Sequence, residues 1–311
     1  MSASTVISVG VFDGAHAGHA ALVREARALG ARLGGEIKIV VMVFDPHPKS
    51  ALGGVAPGRL TTFGQRERML LALGADEVVR LDPGSGVLGL EPEAFVGMLV
   101  ERHGMRGIVE GEDFRFGKGR SAGVEELRGL ARARGVEARI VAPVLVTMSD
   151  GTEAPASSTL ARWLLEHGRV GDAARTLGRA YEMEGVVVSG AKRGRLMGMP
   201  TANLESACVA PMDGVYAGAA RLPDGTRRGA AISVGTNPTF DGVRRTVEAH
   251  VIGWEGALDE YGWTLGLEFT RHLREQARFD SAESLLRQMH RDVERAEEVW
   301  ESVDRGAGVC A

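Results

Sequence analysis

The sequence predicts an α/β protein in two parts, a doubly wound parallel-sheet domain followed by an antiparallel β-barrel that ends in one helix. Three observations carry this. Between Thr5 and Gly168, short β-branched runs alternate with helical periods, the order of a parallel sheet wrapped by helices. After Arg175, strand-like runs follow one another with only turn signals between them, as in a barrel or sandwich. Near the carboxyl end, Leu285, Leu286, Met289, Val293, Ala296 and Trp300 recur at three and four, which places them on one helical face.

In chain order, TVISVGV (Thr5–Val11), IKIVVMVF (Ile37–Phe44), DEVVRL (Asp76–Leu81), RGIVEG (Arg106–Gly111) and ARIVAPVLV (Ala138–Val146) are near-continuous apolar runs. That is the composition of strands covered on both faces. His16–Leu33, Phe63–Leu73, Pro92–His103 and Gly123–Arg134 read as the helices between them. YEMEGVVVSG, GVYAGAARL, RRGAAISVG, TVEAHVIGW and WTLGLEF then read as barrel strands, with turns at Pro223-Asp224-Gly225 and Asp241-Gly242. Asp280 or Ser281 would cap the last helix. The expected division is residues 1–175 and 176–311.

The chain has 311 residues, enough for about two cores. Its two cysteines, Cys208 and Cys310, make neither a disulfide framework nor a zinc site, which favours a reducing compartment. No window reaches the roughly 18 apolar residues of a membrane span, and MSASTVISVG lacks the layout of a secretory leader. A cytoplasmic protein with no membrane partner is expected. A net charge of -4 argues against a general nucleic-acid binder. Whether the chain self-associates is left open.

GVFDGAHAGH (Gly10–His19) follows a strand and opens a helix, so free amide groups and the helix dipole favour an anion there. Gly10, Gly14 and Gly18 let a phosphate chain approach the backbone, beside Phe12 and Asp13. His16 and His19, three apart, would share the first turn and donate to phosphoryl oxygens. Two histidines alone would fit a metal pair or plain helix-surface placement as well as a phosphate site. With the flanking glycines and a distant SSTLAR (Ser157–Arg162), the stretch resembles the pattern of nucleotidyltransferases, in which alignment and charge stabilisation carry the chemistry.

GAKRGRLMGMPTANL (Gly190–Leu204) is the second cluster. Gly190, Gly194 and Gly198 permit a phosphate-wrapping loop, Lys192, Arg193 and Arg195 add charge, and Thr201 and Asn203 offer neutral oxygens to a hard cation such as Mg²⁺. Taken alone it would also fit a basic hairpin tip. Glu248 stands on a strand with Val247 and Ala249 facing the other way, placed either in solvent or as a general base toward a hydroxyl.

These motifs, with FDPHP, GEDFRFGKGRSAG, DGVYAG, GTNPTF, VEAH and RFDS in this order, resemble the bacterial bifunctional riboflavin kinase/FAD synthetases over nearly the whole chain. The resemblance implies an amino-terminal module that transfers AMP from ATP to FMN, giving FAD and pyrophosphate. It implies a carboxyl-terminal module that phosphorylates riboflavin to FMN with ATP and Mg²⁺. His16 and His19 would hold the α-phosphate, and Ser157, Ser158, Thr159 and Arg162 the pyrophosphate. Phe44, Pro46, His47, Pro48 and Asp113 would line the first flavin cleft, with Arg274 at the second. Thr201 and Asn203 would hold Mg²⁺, and Glu248 would act as base. Leu160, Met199, Gly253 and Gln276 depart from the family pattern and bear on flavin specificity. Two alternatives remain open: a single-activity nucleotidyltransferase with a lid or dimerisation module, and a non-catalytic flavin or nucleotide sensor.

Overall fold

A computed structural model describes residues 4–190, 194, 198–236, 245–256 and 260–307. Two compact units emerge: Met1–Pro57, Phe63–Val146 and Glu153–Ser157 form one, and Gly58–Thr62, Thr147–Thr152 and Ser158–Ala311 the other.

In the first unit, β1 (Ser4–Gly10), β2 (Ile37–Phe44), β3 (Glu77–Leu81), β4 (Met105–Gly111) and β5 (Glu137–Val141) make a parallel sheet in the order β3-β2-β1-β4-β5. Helices α1 (Ala17–Leu33), α2 (Pro48–Ala51), α3 (Phe63–Ala72), α4 (Pro92–His103) and α5 (Val124–Ala133) lie between the strands in sequence. The period of two along β1 sends Val6 to Ala26 and Leu29 of α1, and Ile7 and Val9 to Phe95 and Leu99 of α4. Both faces are thereby covered, which is why these strands read as unbroken apolar runs. The chain builds outward from β1 to β3, then crosses back to β4, so strand order reverses between β1 and β4. Open α/β sheets bind ligands at that reversal, beyond the carboxyl ends of the strands.

The run Ala138–Val146, expected as one strand, is broken. β5 ends at Val141, and β6 (Leu145–Thr147) pairs instead with β7 (Glu153–Pro155). Pro143 lies in the break, where it has no amide to give a ladder.

The second unit holds a closed barrel of β8 (Tyr181–Val188), β9 (Ala202–Glu205), β10 (Gly214–Arg221), β11 (Arg227–Gly235), β12 (Thr246–Val251) and β13 (Thr264–Arg274), neighbours running β10-β11-β12-β9-β8-β13. Tyr181, Tyr216 and Phe269 are buried, the Phe269 ring meets both tyrosine rings, and each tyrosine hydroxyl donates to a carbonyl, Val209 O and Met212 O respectively. α6 (Ser158–Glu166) and α7 (Val170–Leu177) precede the barrel, and α8 (Ala282–Ala307) follows it. Ser281 caps α8 by accepting from the Ser284 amide at 3.1 Å. Ala296 and Val299 of α8 pack on Ala217 of β10. β9 begins inside PTANL, a segment to which the sequence reading assigns no strand. Cys208 is buried; Cys310 and the turn at Asp241-Gly242 lie outside the described residues.

Candidate active sites

The first site is built where β1 ends. Gly14 takes φ 79°, and the non-glycine residues Phe12 and Ala15 also adopt positive φ, 51° and 40°. L-residues resist that conformation. Both are 2% exposed, so burial holds them there. The turn delivers His16 to the N-cap of α1. The His16 amide donates to Nδ1 of His19 at 3.2 Å, and the two rings stack with centroids 3.6 Å apart. With Nδ1 accepting, a neutral His19 carries its proton on Nε2 and presents a donor from that atom. Phe12 tilts against the His19 ring at 4.8 Å. A Cβ on Gly18 would stand 3.0 Å from His16 Cε1 and 3.4 Å from the Ala156 carbonyl oxygen. Ala156, and Ser157 after it, therefore run past the start of α1.

Around the β2 end, His47 caps α2 by accepting from the Lys49 amide at 3.2 Å. Phe44, Pro46 and Pro48 flank it, and Asp113 is exposed after β4. Three residues that sequence reasoning passed over organise this end of the sheet. Asp45 is 4% exposed and receives Arg66 on one carboxylate oxygen and Arg80 on the other, the latter at 2.6 Å. Arg66 also donates to Val11 O at 2.9 Å and Phe44 O at 3.2 Å, joining the turn after β1 to the end of β2. Its signal in the sequence was its place four residues before Leu70, on the buried stripe of α3. Glu110 on β4 is buried too, and Oε1 accepts from the Val9 amide at 2.7 Å. Burial pushes its carboxyl well above the usual carboxylate range, against the pull of that hydrogen bond, and Asp113 adds to the rise.

Of the SSTLAR segment, Ser158 opens α6, with Thr159 next to it, and Arg162 donates from Nε to Gly58 O at 2.5 Å.

The second site lies on the barrel. Register sets Val188, Asn203, Glu248 and Ser233 side by side across β8, β9, β12 and β11. Val247 and Ala249 are buried on the other face, so Glu248 is carried by the strand period. Its Oε2 accepts from Thr201 Oγ1 at 3.3 Å and its Oε1 from Thr246 Oγ1 at 3.2 Å. A Cβ on Gly190 would stand 2.1 Å from Asn203 Nδ2, so only glycine lets that amide lie against the end of β8. The Met199 amide donates to Gly194 O at 2.8 Å, and Gly198 takes φ 76°. Lys192, Arg193, Arg195 and the last four residues of GTNPTF lie outside the described residues. A cleft beside these groups is lined by Pro200, Thr201, Asn203, His250, Trp254 and Trp263. The two tryptophans stack with centroids 5.9 Å apart.

Arg274, expected at the flavin, grips Asp292 of α8 through Nε and Nη2, the shortest contact being 2.7 Å, and lies over the Phe279 ring. Gln276 donates from Nε2 to Ser233 Oγ at 2.9 Å and to Val234 O at 3.1 Å.

Among the described residues no helix is long and apolar enough to cross a membrane. The family model for FAD synthetase matches residues 1–154, and that for riboflavin kinase matches residues 177–300. A bifunctional riboflavin kinase/FMN adenylyltransferase of Escherichia coli is 32% identical over 95% of this chain and 92% of its own length. Its counterpart in Bacillus subtilis is 28% identical over 94% and 92%. A crystal structure described as a macrolide-efflux protein from Streptococcus pneumoniae superposes with a TM-score of 0.82 at 31% identity, covering 96% of this chain and 95% of that one. Its description as an efflux protein stays with that protein, since both family models and the curated relatives agree on another chemistry. From its paired motifs to its two matched modules, the chain belongs to the family of bifunctional riboflavin kinases/FMN adenylyltransferases.

Proposed function

We propose that adenylyl transfer from ATP to FMN is carried by residues 1–175 around Gly10–His19, and phosphorylation of riboflavin by residues 176–311 around Thr201, Asn203 and Glu248. The observation that carries this reading is the strand register that sets Asn203 directly opposite Glu248, with Thr201 on the carboxylate. A base, a hydroxyl and an amide oxygen stand where a primary hydroxyl and a triphosphate could meet.

In the first site, His19 Nε2–H and His16 would bind the α-phosphate as negative charge shifts toward pyrophosphate. Gly10, Phe12, Asp13, Gly14 and Gly18 would form the wall of the nucleotide site, and Ser157, Ser158, Thr159 and Arg162 would receive the leaving group. Phe44, Pro46, His47, Pro48 and Asp113 would hold the flavin of FMN. No side chain forms a covalent bond in this scheme.

In the second site, Glu248 would take the proton of the riboflavin 5′-hydroxyl as it attacks the γ-phosphate. Mg²⁺ fits the neutral, hard oxygens of Thr201 and Asn203, and when bound with ATP it neutralises phosphate charge. Gly190, Lys192, Gly194, Arg195 and Gly198 would cover the phosphates, and the Trp254–Trp263 pair offers an apolar wall to the nucleotide base. Arg274 would shape the flavin end by fixing α8 to β13. A cytoplasmic setting, with small-molecule partners only, suits both reactions.

The test is one assay on three proteins. Given riboflavin, ATP and Mg²⁺, the wild type makes FMN and then FAD on chromatography; His19→Ala stops at FMN, and Asn203→Ala makes FAD only from added FMN. Loss of both activities in either variant would refute two separate sites.

A further inference from the structure

We propose that Glu110 is a positioning residue for adenylyl transfer, its carboxyl fixing the end of β1 and hence the phosphate cradle that begins at Gly10. The inference rests on the reading that Gly10–His19 is where ATP reacts.

β1 and β4 are paired only as far as Ile7 and Ile108, although the strands run on to Gly10 and Gly111. They part at the reversal of strand order, where a ligand needs the gap. An amide left over at such a parting needs an acceptor, because burying it unpaired is costly. Glu110 supplies one from its side chain: Oε1 takes the Val9 amide at 2.7 Å, two residues beyond the last pair on each strand. The strand end is fixed while the gap stays open. Gly10, the first residue of the cradle, follows directly.

The period of two puts Glu110 on the face of Ile108, which packs with Phe95 and Leu99 of α4 and Leu127 and Ala131 of α5, all apolar. The charge that reaches it is Asp113, in the turn after β4. Burial among apolar groups favours the protonated acid, and Asp113 acts in the same direction. Ionisation would place a second negative charge where a polyphosphate must enter.

The experiment measures kcat and KM for FAD formation from FMN and ATP across pH, for wild type, Glu110→Gln and Glu110→Ala, with riboflavin phosphorylation and thermal unfolding alongside. Glu110→Gln keeps an acceptor for the Val9 amide and cannot ionise. It is expected to match the wild type within about threefold at the low end of the pH series and to lack the decline that ionisation of Glu110 brings to the wild type as pH rises. Glu110→Ala leaves the amide unpaired and is expected to lose roughly tenfold or more in kcat for FAD formation, with riboflavin phosphorylation unchanged. A decline with rising pH that persists unchanged in Glu110→Gln, or wild-type FAD kinetics in Glu110→Ala, would overturn the proposal. His19→Ala separates the two levels. If it retains FAD formation, the reading of the cradle fails; if it abolishes FAD formation while both Glu110 variants behave as wild type, only the role of Glu110 fails.

Discussion

Arg66 and Asp45 form an ion pair with side chains 3% and 4% exposed, at the edge of the first site. Each also has further partners: Arg66 donates to Val11 O and Phe44 O, and Asp45 accepts from Arg80. Removing one member of a buried pair strands the other charge, at a cost of about 3–5 kcal/mol. Arg66→Met should therefore lower the thermal unfolding temperature of the first unit and suppress FAD formation. The double variant Arg66→Met/Asp45→Leu should be less unstable than Arg66→Met, because it also removes the buried carboxylate that the single variant leaves to the exposed Arg80 alone. Calorimetry of the three proteins decides this; equal destabilisation of single and double variants would contradict it.

What the sequence made legible, and what it hid, follows from where each residue gets its meaning. The closeness of Gly14, Gly18, His16 and His19 is intelligible from their spacing alone, because one turn and one helix start bring them together. Thr201, Asn203 and Glu248 were readable as separate pieces, but their side-by-side register depends on which strands pair. Asp45, Arg66 and Glu110 were missed for a common reason: a charged residue in an amphipathic or apolar run reads as solvent-facing until the partner that neutralises or accepts it is placed. The ion pair of Arg274 was hidden for the same reason, since Asp292 on α8 was an unremarked position in a polar stretch of helix. The break at Pro143 was legible in principle from its missing amide.

Glu248 is held by two hydroxyls, Thr201 and Thr246, at 3.3 Å and 3.2 Å. A general base contributes roughly 10²–10⁴-fold. Glu248→Gln should reduce kcat for riboflavin phosphorylation by about that factor with little change in KM for riboflavin, and should leave FMN adenylylation intact. Thr201→Ser retains the hydroxyl and should be near wild type, whereas Thr201→Val should not. Steady-state kinetics of both half-reactions check this; a Glu248→Gln enzyme within about threefold of wild type would remove the base from the scheme.

Asp172 and Asp150 join the turn between β6 and β7 to α7. Burial would raise the Asp172 carboxyl, but the Ser149 amide and Arg169 outweigh it and hold it below its ordinary value. Asp150 is drawn down to about 2 by the Thr152 amide and hydroxyl and by Arg169. Both are lower folded than unfolded, so their contribution is present above the unfolded carboxylate range near 3.8 and is lost as pH falls through the folded values. Asp172→Asn should thus unfold at lower temperature than wild type near neutral pH, and the difference should shrink as pH is lowered below the ordinary carboxylate range. Melting curves across that window test it, and a difference that grows in acid would reverse the sign of the argument.

Gln276 works here through its amide nitrogen. Nε2 donates to Ser233 Oγ and Val234 O, tying the segment after β13 to β11, and Ser233 is directly opposite Glu248 on β12. A carboxylate at 276 has no proton to offer the Val234 carbonyl, and it would meet that oxygen as a like partial charge. Leaving buried partners unmet costs about 1–3 kcal/mol. Gln276→Glu should then loosen the β11 edge of the second site, raising KM for riboflavin more than it lowers kcat and leaving FAD formation from FMN unchanged. Because glutamate regains a donor when protonated, the defect should be relieved in part as pH falls, a dependence that Gln276→Ala cannot have. Parallel pH series of riboflavin phosphorylation on the two variants distinguish lost donation from lost packing, and identical profiles would show that the amide is not what this position needs.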